Sequence, residues 1–253
     1  MTKKITITGP AGQEIAASMI RRNDPEAPDT RRTLVLMSHG FPGHKSAAGD
    51  IFGDLEEMLS SKGHDTLRFD YRGCGESDGR EENFTVQTAC ADYEAVQDWA
   101  RREGYSQFIV IGEGLGATIA ALNIGLDVRA FAMLWPVLEP KMYFKNHIAQ
   151  AVPDPEGRPF SMLDSHRIGK DFAGQIQKLD IVHALKEVYC PALIMHGAED
   201  DVVPTSQLEL ARGFIPARRI EITVFHDGTH GLPLPAHRKA MMYHIQQFVQ
   251  KYA

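Results

Sequence analysis

Cysteine is scarce in this chain: three in 253 residues (Cys74, Cys90 and Cys190), far apart and without the spacing of metal ligands. That excludes a disulfide scaffold or a zinc cluster as the organising principle, and the expected setting is a reducing one, the cytoplasm. Long apolar runs are missing too. The 108–124 stretch is interrupted by Glu113, too early to cross a bilayer. The opening MTKKITITGPAGQEIAAS holds no apolar core of the kind a secretory leader carries. Nor is positive charge in surplus: 27 Lys and Arg stand against 33 Asp and Glu, a net −6 without any basic run. Nucleic acid and membrane are therefore not expected partners.

What is present is an ordinary globular composition, 43% hydrophobic and 24% charged. The length suits one or two domains with a substantial core. KITITGP and EIAASMI flank a Gly-Pro-Ala-Gly turn and predict an N-terminal hairpin. After a polar loop over 21–32, TLVLM (33–37) is a continuous apolar run, typical of a parallel strand buried on both faces. DTLRFD (65–70), FIVIG (108–112), RAFAMLW (129–135), PALIM (191–195) and RIEITVF (219–225) predict further strands. Between them lie helical patterns: Ile51, Phe52, Leu55, Met58 and Leu59; Val86, Ala89, Cys90, Tyr93 and Val96; and GATIAALNI over 116–124. Met241, Ile245, Phe248, Val249 and Tyr252 mark a last amphipathic helix. This alternation predicts an α/β fold with a mostly parallel sheet flanked by helices. The polar, Pro- and Gly-containing stretch 137–188 stands apart, and is expected as a lid inserted above the carboxyl edge of the sheet, within one domain over 1–253.

In such a sheet, chemistry sits beyond the carboxyl ends of the strands. Four loops there carry unusual residues. Ser38-His39-Gly40-Phe41-Pro42-Gly43 follows the first parallel strand; a His-Gly turn exposes backbone N–H groups suited to an oxyanion, and fits an ordinary Gly/Pro loop equally well. Tyr71 to Gly79 is glycine-rich but lacks the Lys-Ser/Thr of a phosphate loop, so a structural turn is expected. Gly112-Glu113-Gly114-Leu115-Gly116 has the frame of a nucleophile elbow, G-x-S-x-G, with glycine at the serine position. Lastly, Glu199, Asp200 and Asp201 follow one strand, and His226 and His230 follow the next. An acid and a histidine in that order after an elbow supply the orienting acid and general base of a catalytic triad.

Taken together, HGFPGHKS, FDYRGCGESDGREENFTV, IGEGLGA, RPFSMLDSHRIGKDF, IMHGAEDDVVP and DGTHG resemble the α/β-hydrolase superfamily over nearly the whole chain. More narrowly they are similar to small bacterial feruloyl (cinnamoyl) esterase-like hydrolases. The resemblance implies an eight-stranded sheet, no cofactor or metal, a small-molecule ester as substrate or ligand, and leaves a homodimer open. It places the acid at Asp200, with Asp201 as the register alternative and Glu199 third, and the general base at His230 ahead of His226. It puts oxyanion donors at the Phe41 and Leu115 N–H groups, the nucleophile position at Gly114, and pocket walls at His39, His44, Trp135, Met142 and Tyr143. Glu113 is expected to point away from substrate, as an acid favoured by a helix N-terminus. Cys74, Ser38 and Ser46 lie near the sheet edge but lack an elbow to aim them.

Glycine offers no oxygen to attack an ester. Three expectations follow: a hydrolase whose serine has been replaced, a pseudo-hydrolase that binds a small ester-like or acidic ligand, or an enzyme working through a His–Asp dyad alone.

Overall fold

A computed structural model describes residues 2–22, 32–216 and 220–253. Most of the expected 21–32 loop, and Arg219 at the start of the last expected strand, lie outside them. The chain opens with β1 (Lys3–Thr8) and β2 (Glu14–Ile20), paired antiparallel as a hairpin. It continues through β3 (Arg32–Ser38), α1 (Ile51–Ser61), β4 (Asp65–Phe69), α2 (Val86–Arg102), β5 (Tyr105–Glu113), α3 (Leu115–Leu122) and β6 (Val128–Leu134).

Then comes the expected lid segment, which the sequence pattern left without assigned structure. It folds into α4 (Pro140–Asn146), a small antiparallel sheet of β7 (Val152–Pro153), β8 (Phe160–Leu163) and β9 (His166–Gly169), and two short helices, α5 (Lys170–Ile176) and α6 (Val182–Lys186). The main sheet resumes with β10 (Ala192–Gly197), α7 (Leu208–Phe214), β11 (Ile220–Phe225) and α8 (Pro235–Tyr252). The main sheet has the order β1-β2-β4-β3-β5-β6-β10-β11, parallel throughout except where β2 meets β1 and β4.

Alternate residues of the central strands feed two separate cores. Leu34, Leu36, Phe108, Val110, Phe131 and Met133 pack with Ala89, Tyr93 and Val96 of α2 on one face. Val35, Met37, Ile109, Ile111, Ala130 and Ala132 pack with Phe52, Leu55 and Leu59 of α1 and Met241, Ile245 and Phe248 of α8 on the other. A strand clad on both faces has no reason to alternate with polar residues, which is why these segments read as continuous apolar runs. Among the described residues, no helix is long and apolar enough to cross a membrane.

Packing at the carboxyl edge decides which glycines are needed. A Cβ on Gly116 would lie 2.1 Å from the Ser38 carbonyl oxygen and 2.4 Å from that of His39. One on Gly112 would lie 2.5 Å from the Ala117 Cα. Strand β5 and helix α3 therefore approach each other, and the end of β3, at a distance only glycine permits.

Candidate active site

Strands β5, β10 and β11 deliver their carboxyl ends to one place, with β6 lying between the first two. β5 runs into Gly114, which caps α3 at φ 53°, ψ −120°. This is a conformation L side chains adopt only under strain. Yet a Cβ here would meet nothing nearer than the Gly40 Cα at 3.9 Å. So the glycines on either side are demanded by packing, while Gly114 faces open space in a turn that glycine alone adopts freely. Its amide donates to the Leu134 carbonyl, and its own carbonyl accepts from Ala117 and Val137, which locks the turn.

β10 and β11 supply the acid and the histidine. Asp200 is buried and accepts from the Val202 and Val203 amides at 3.0 and 2.7 Å. His230 Nδ1 lies 3.0 and 2.9 Å from the two Asp200 carboxylate oxygens. That pairing places the proton on Nδ1 and leaves Nε2 as the basic nitrogen. The edge of the Trp135 ring packs on His230 at 6.1 Å between centroids. Asp201, Glu199 and His226 are exposed instead, so of the candidates left open by the sequence the structure brings together Asp200 and His230.

Gly114, Leu115, His230, Gly40, Phe41, Pro42, Glu113, Trp135, Val137, Tyr143, His147, Val202 and Val203 enclose one cavity of about 120 Å3. The amides of Phe41 and Leu115 donate to no loop carbonyl among the described residues. Tyr143, from α4, donates its hydroxyl proton to the Phe41 carbonyl at 2.7 Å and so ties the lid to the His-Gly turn. Burial and the nearby Glu113 carboxylate raise the Tyr143 phenol, which keeps that proton.

Four expectations change here. His39 is 1% exposed and takes no part in the cavity wall. Its Nε2 accepts from the Tyr71 amide at 3.2 Å and its Nδ1–H donates to the Gly40 carbonyl at 2.6 Å. Burial pushes the imidazole down to about 4, so it stays neutral and acts as a brace for the turn. His44 is exposed, its Nδ1 accepting from the Ser46 amide. Met142 is turned to the Ser206 hydroxyl, outside the wall. Glu113, expected to point away as a helix N-terminal acid, is the last residue of β5 and turns its carboxylate inward: Oε2 accepts from the Gly40 amide at 2.8 Å.

His147 lies just beyond α4, in the expected lid segment, where no periodicity marks it out, and it is not among the residues singled out above. Burial, then the neighbouring His230, lowers its basicity. Ser38 and Cys74 are buried; Ser38 Oγ donates to the Gly116 carbonyl at 2.9 Å, and burial raises the Cys74 thiol well above its ordinary range. Neither lines the cavity.

Comparison with known proteins agrees with this architecture. A family model for the alpha/beta hydrolase fold matches residues 33–127. The lysophosphatidylserine lipase ABHD12 of Mus musculus is 31% identical over 185 residues, covering 69% of this chain and 43% of its own length. The mitochondrial palmitoyl-protein thioesterase ABHD10 of Bos taurus is 24% identical over 208 residues, covering 78% of this chain and 67% of its own length. The chain thus spans less than half of the lipase it resembles. Among solved structures, Est1E from Butyrivibrio proteoclasticus with ferulic acid bound superposes with a TM-score of 0.81 at 21% identity, over 98% of both chains.

Proposed function

We propose, from the premise that this chain belongs to the α/β-hydrolase superfamily, that it carries the site of a serine-type carboxylic-ester hydrolase with glycine in place of the nucleophile. The observation that carries this is Gly114: an elbow glycine at φ 53° under open space, beside a buried Asp200–His230 pair. Glycine holds this turn without strain, so the support comes from the open space above it and from the adjacent Asp200–His230 pair, which together suit a position that carries a side chain.

With serine at 114, His230 Nε2 would take the hydroxyl proton, the oxygen would attack the ester carbonyl, and the Phe41 and Leu115 amides would hold the oxyanion. Without it there is no acyl-enzyme. Loss of a serine nucleophile costs on the order of 10⁶ in kcat, about 8 kcal/mol of barrier. What is left is a binding site with a His–Asp dyad. Its Nε2 can take a proton from a water standing over Gly114, and that water can attack the bound carbonyl. The residual rate is roughly 10³-fold over uncatalysed hydrolysis.

The relatives named above act on an acyl glycerophospholipid and on a protein thioester, and the closely superposing fold holds ferulic acid. A cavity of about 120 Å3 favours shorter acyl groups than those, since pockets for drug-sized ligands run to roughly 300–1,000 Å3. Among the described residues no Lys or Arg lines it, so a phosphate would find no cationic side chain inside. The test is Gly114→Ser, assayed beside the unaltered chain on p-nitrophenyl acetate, p-nitrophenyl butyrate and methyl ferulate. Appearance of esterase activity with an acyl-enzyme burst, largest on acetate, is the expected result. A folded serine variant without activity would sink the assignment.

A further inference from the structure

Glu113 is the group at this cavity that the ester mechanism does not use. The residue is 8% exposed, and its carboxylate has two protein donors: the Gly40 amide at 2.8 Å and, weakly, the Trp135 indole N–H at 3.4 Å. No Lys, Arg or His pairs with it among the described residues. An ionised carboxylate has about four acceptor sites, and a buried one without an opposite charge is costly. Asp200, the other buried carboxylate nearby, differs in this respect: two amides and His230 saturate it.

The rest of the wall supplies no compensation. Its two imidazoles are His230, already committed to Asp200, and His147, whose basicity burial and His230 lower. Phe41, Trp135 and Tyr143 add aromatic rings to the same small space. Rings attract cations and are indifferent or hostile to anions.

We propose that the cavity over Gly114 selects a small alkylammonium group, with the Glu113 carboxylate as its counter-charge and the rings of Trp135, Tyr143 and Phe41 as its walls. The ligand class is then an ester-like molecule bearing an ammonium head of a few carbons. This deepens the hydrolase reading, on which the word ester rests, but the recognition of the cation does not need catalysis.

The bland alternative is that Glu113 only braces the Gly40 turn. Glu113→Gln separates the two, because the amide oxygen still accepts from Gly40 while the charge is gone. The experiment titrates tetramethylammonium, tert-butanol and acetate into the unaltered chain and into Glu113→Gln, following chemical-shift changes of the His147 and His230 rings, with thermal unfolding of both proteins in parallel. The expected result is binding of the ammonium at least tenfold tighter than that of the neutral and anionic probes. That preference should be lost in Glu113→Gln at unchanged melting temperature. Equal binding of tert-butanol or acetate, no ammonium binding, or a preference that survives Glu113→Gln would overturn the proposal. An inactive Gly114→Ser with intact ammonium preference would remove the hydrolase reading and leave this one standing; an active Gly114→Ser without the preference would do the reverse.

Discussion

The elbow glycines invite a comparison in which each is replaced by alanine. At Gly114 the new methyl group has room, its nearest neighbour being the Gly40 Cα at 3.9 Å, but the backbone sits at φ 53°. The strain of holding an L residue there is roughly 1–3 kcal/mol. Against it stands a gain of about 0.4–1 kcal/mol from a less flexible unfolded chain. The net cost is therefore about 1 kcal/mol, and each 1 kcal/mol lowers Tm by roughly 2–4 °C in a protein somewhat smaller than this one. At Gly116 no conformational strain arises, but the methyl group would stand 2.1 Å and 2.4 Å from two carbonyl oxygens of the β3 terminus. Backbone, not a side-chain tip, has to move. The overpacking cost is about 3 kcal/mol or more. Gly112→Ala, 2.5 Å from the Ala117 Cα, belongs with Gly116. Urea unfolding of the three variants gives the ranking directly: Gly114→Ala mild, the other two severe. A Gly114→Ala variant as damaged as Gly116→Ala would mean that the space above 114 is filled, and that no side chain was ever meant to stand there.

Other outcomes can be checked in parallel. In a Gly114→Ser background, Asp200→Asn is expected to lower kcat by about 10⁴ through the wrong His230 tautomer, with KM little changed in steady-state kinetics. His39, neutral and pushed down to about 4 in the fold against an unperturbed value near 6.5, contributes stability that is complete above pH 6.5 and lost as pH falls toward 4. The contribution is about 3 kcal/mol, and a flat urea midpoint between pH 7 and pH 4.5 would contradict it. Gln207 accepts with one oxygen from the Leu138 and Glu139 amides, both at 2.8 Å, where the lid begins. Gln207→Leu strands both amides at about 1–3 kcal/mol each, and limited proteolysis within 137–188 should quicken.

How much of this was written in the sequence depended on what each segment packs against. Strands β3, β5, β6 and β10 are clad on both faces, so their apolar runs stood out, and α1, α2 and α8 bury one stripe each. The lid followed no such rule. FSML and HRIG are four-residue strands with polar and charged members, paired only with each other and β7, and α5 and α6 are too short for a period to register. At the site, the order elbow, acid, histidine was legible because chain order is itself sequence information. Spacing alone left Glu199, Asp200 and Asp201 open; the family resemblance chose Asp200, the carboxylate that the turn folds inward against His230. Likewise His39 and Glu113 sit one residue from an obvious motif. Their side chains exchanged the expected roles: the turn after β3 sends His39 into the core, against the Tyr71 amide, and the end of β5 sends Glu113 toward the cavity, against the Gly40 amide.

The space above Gly114 also bears on how this chain stands to its ancestors and descendants. Glycine codons of the GGU and GGC kind lie one nucleotide from the serine codons AGU and AGC. Gly112 and Gly116 are held by packing against backbone, and Asp200 and His230 are hydrogen-bonded to each other, so the rest of the elbow would take a side chain at 114 without rearrangement. Where Gly114 is spelled by one of those codons, a single base change would set a serine beside the Asp200–His230 pair, in the space that a Cβ at 114 finds open.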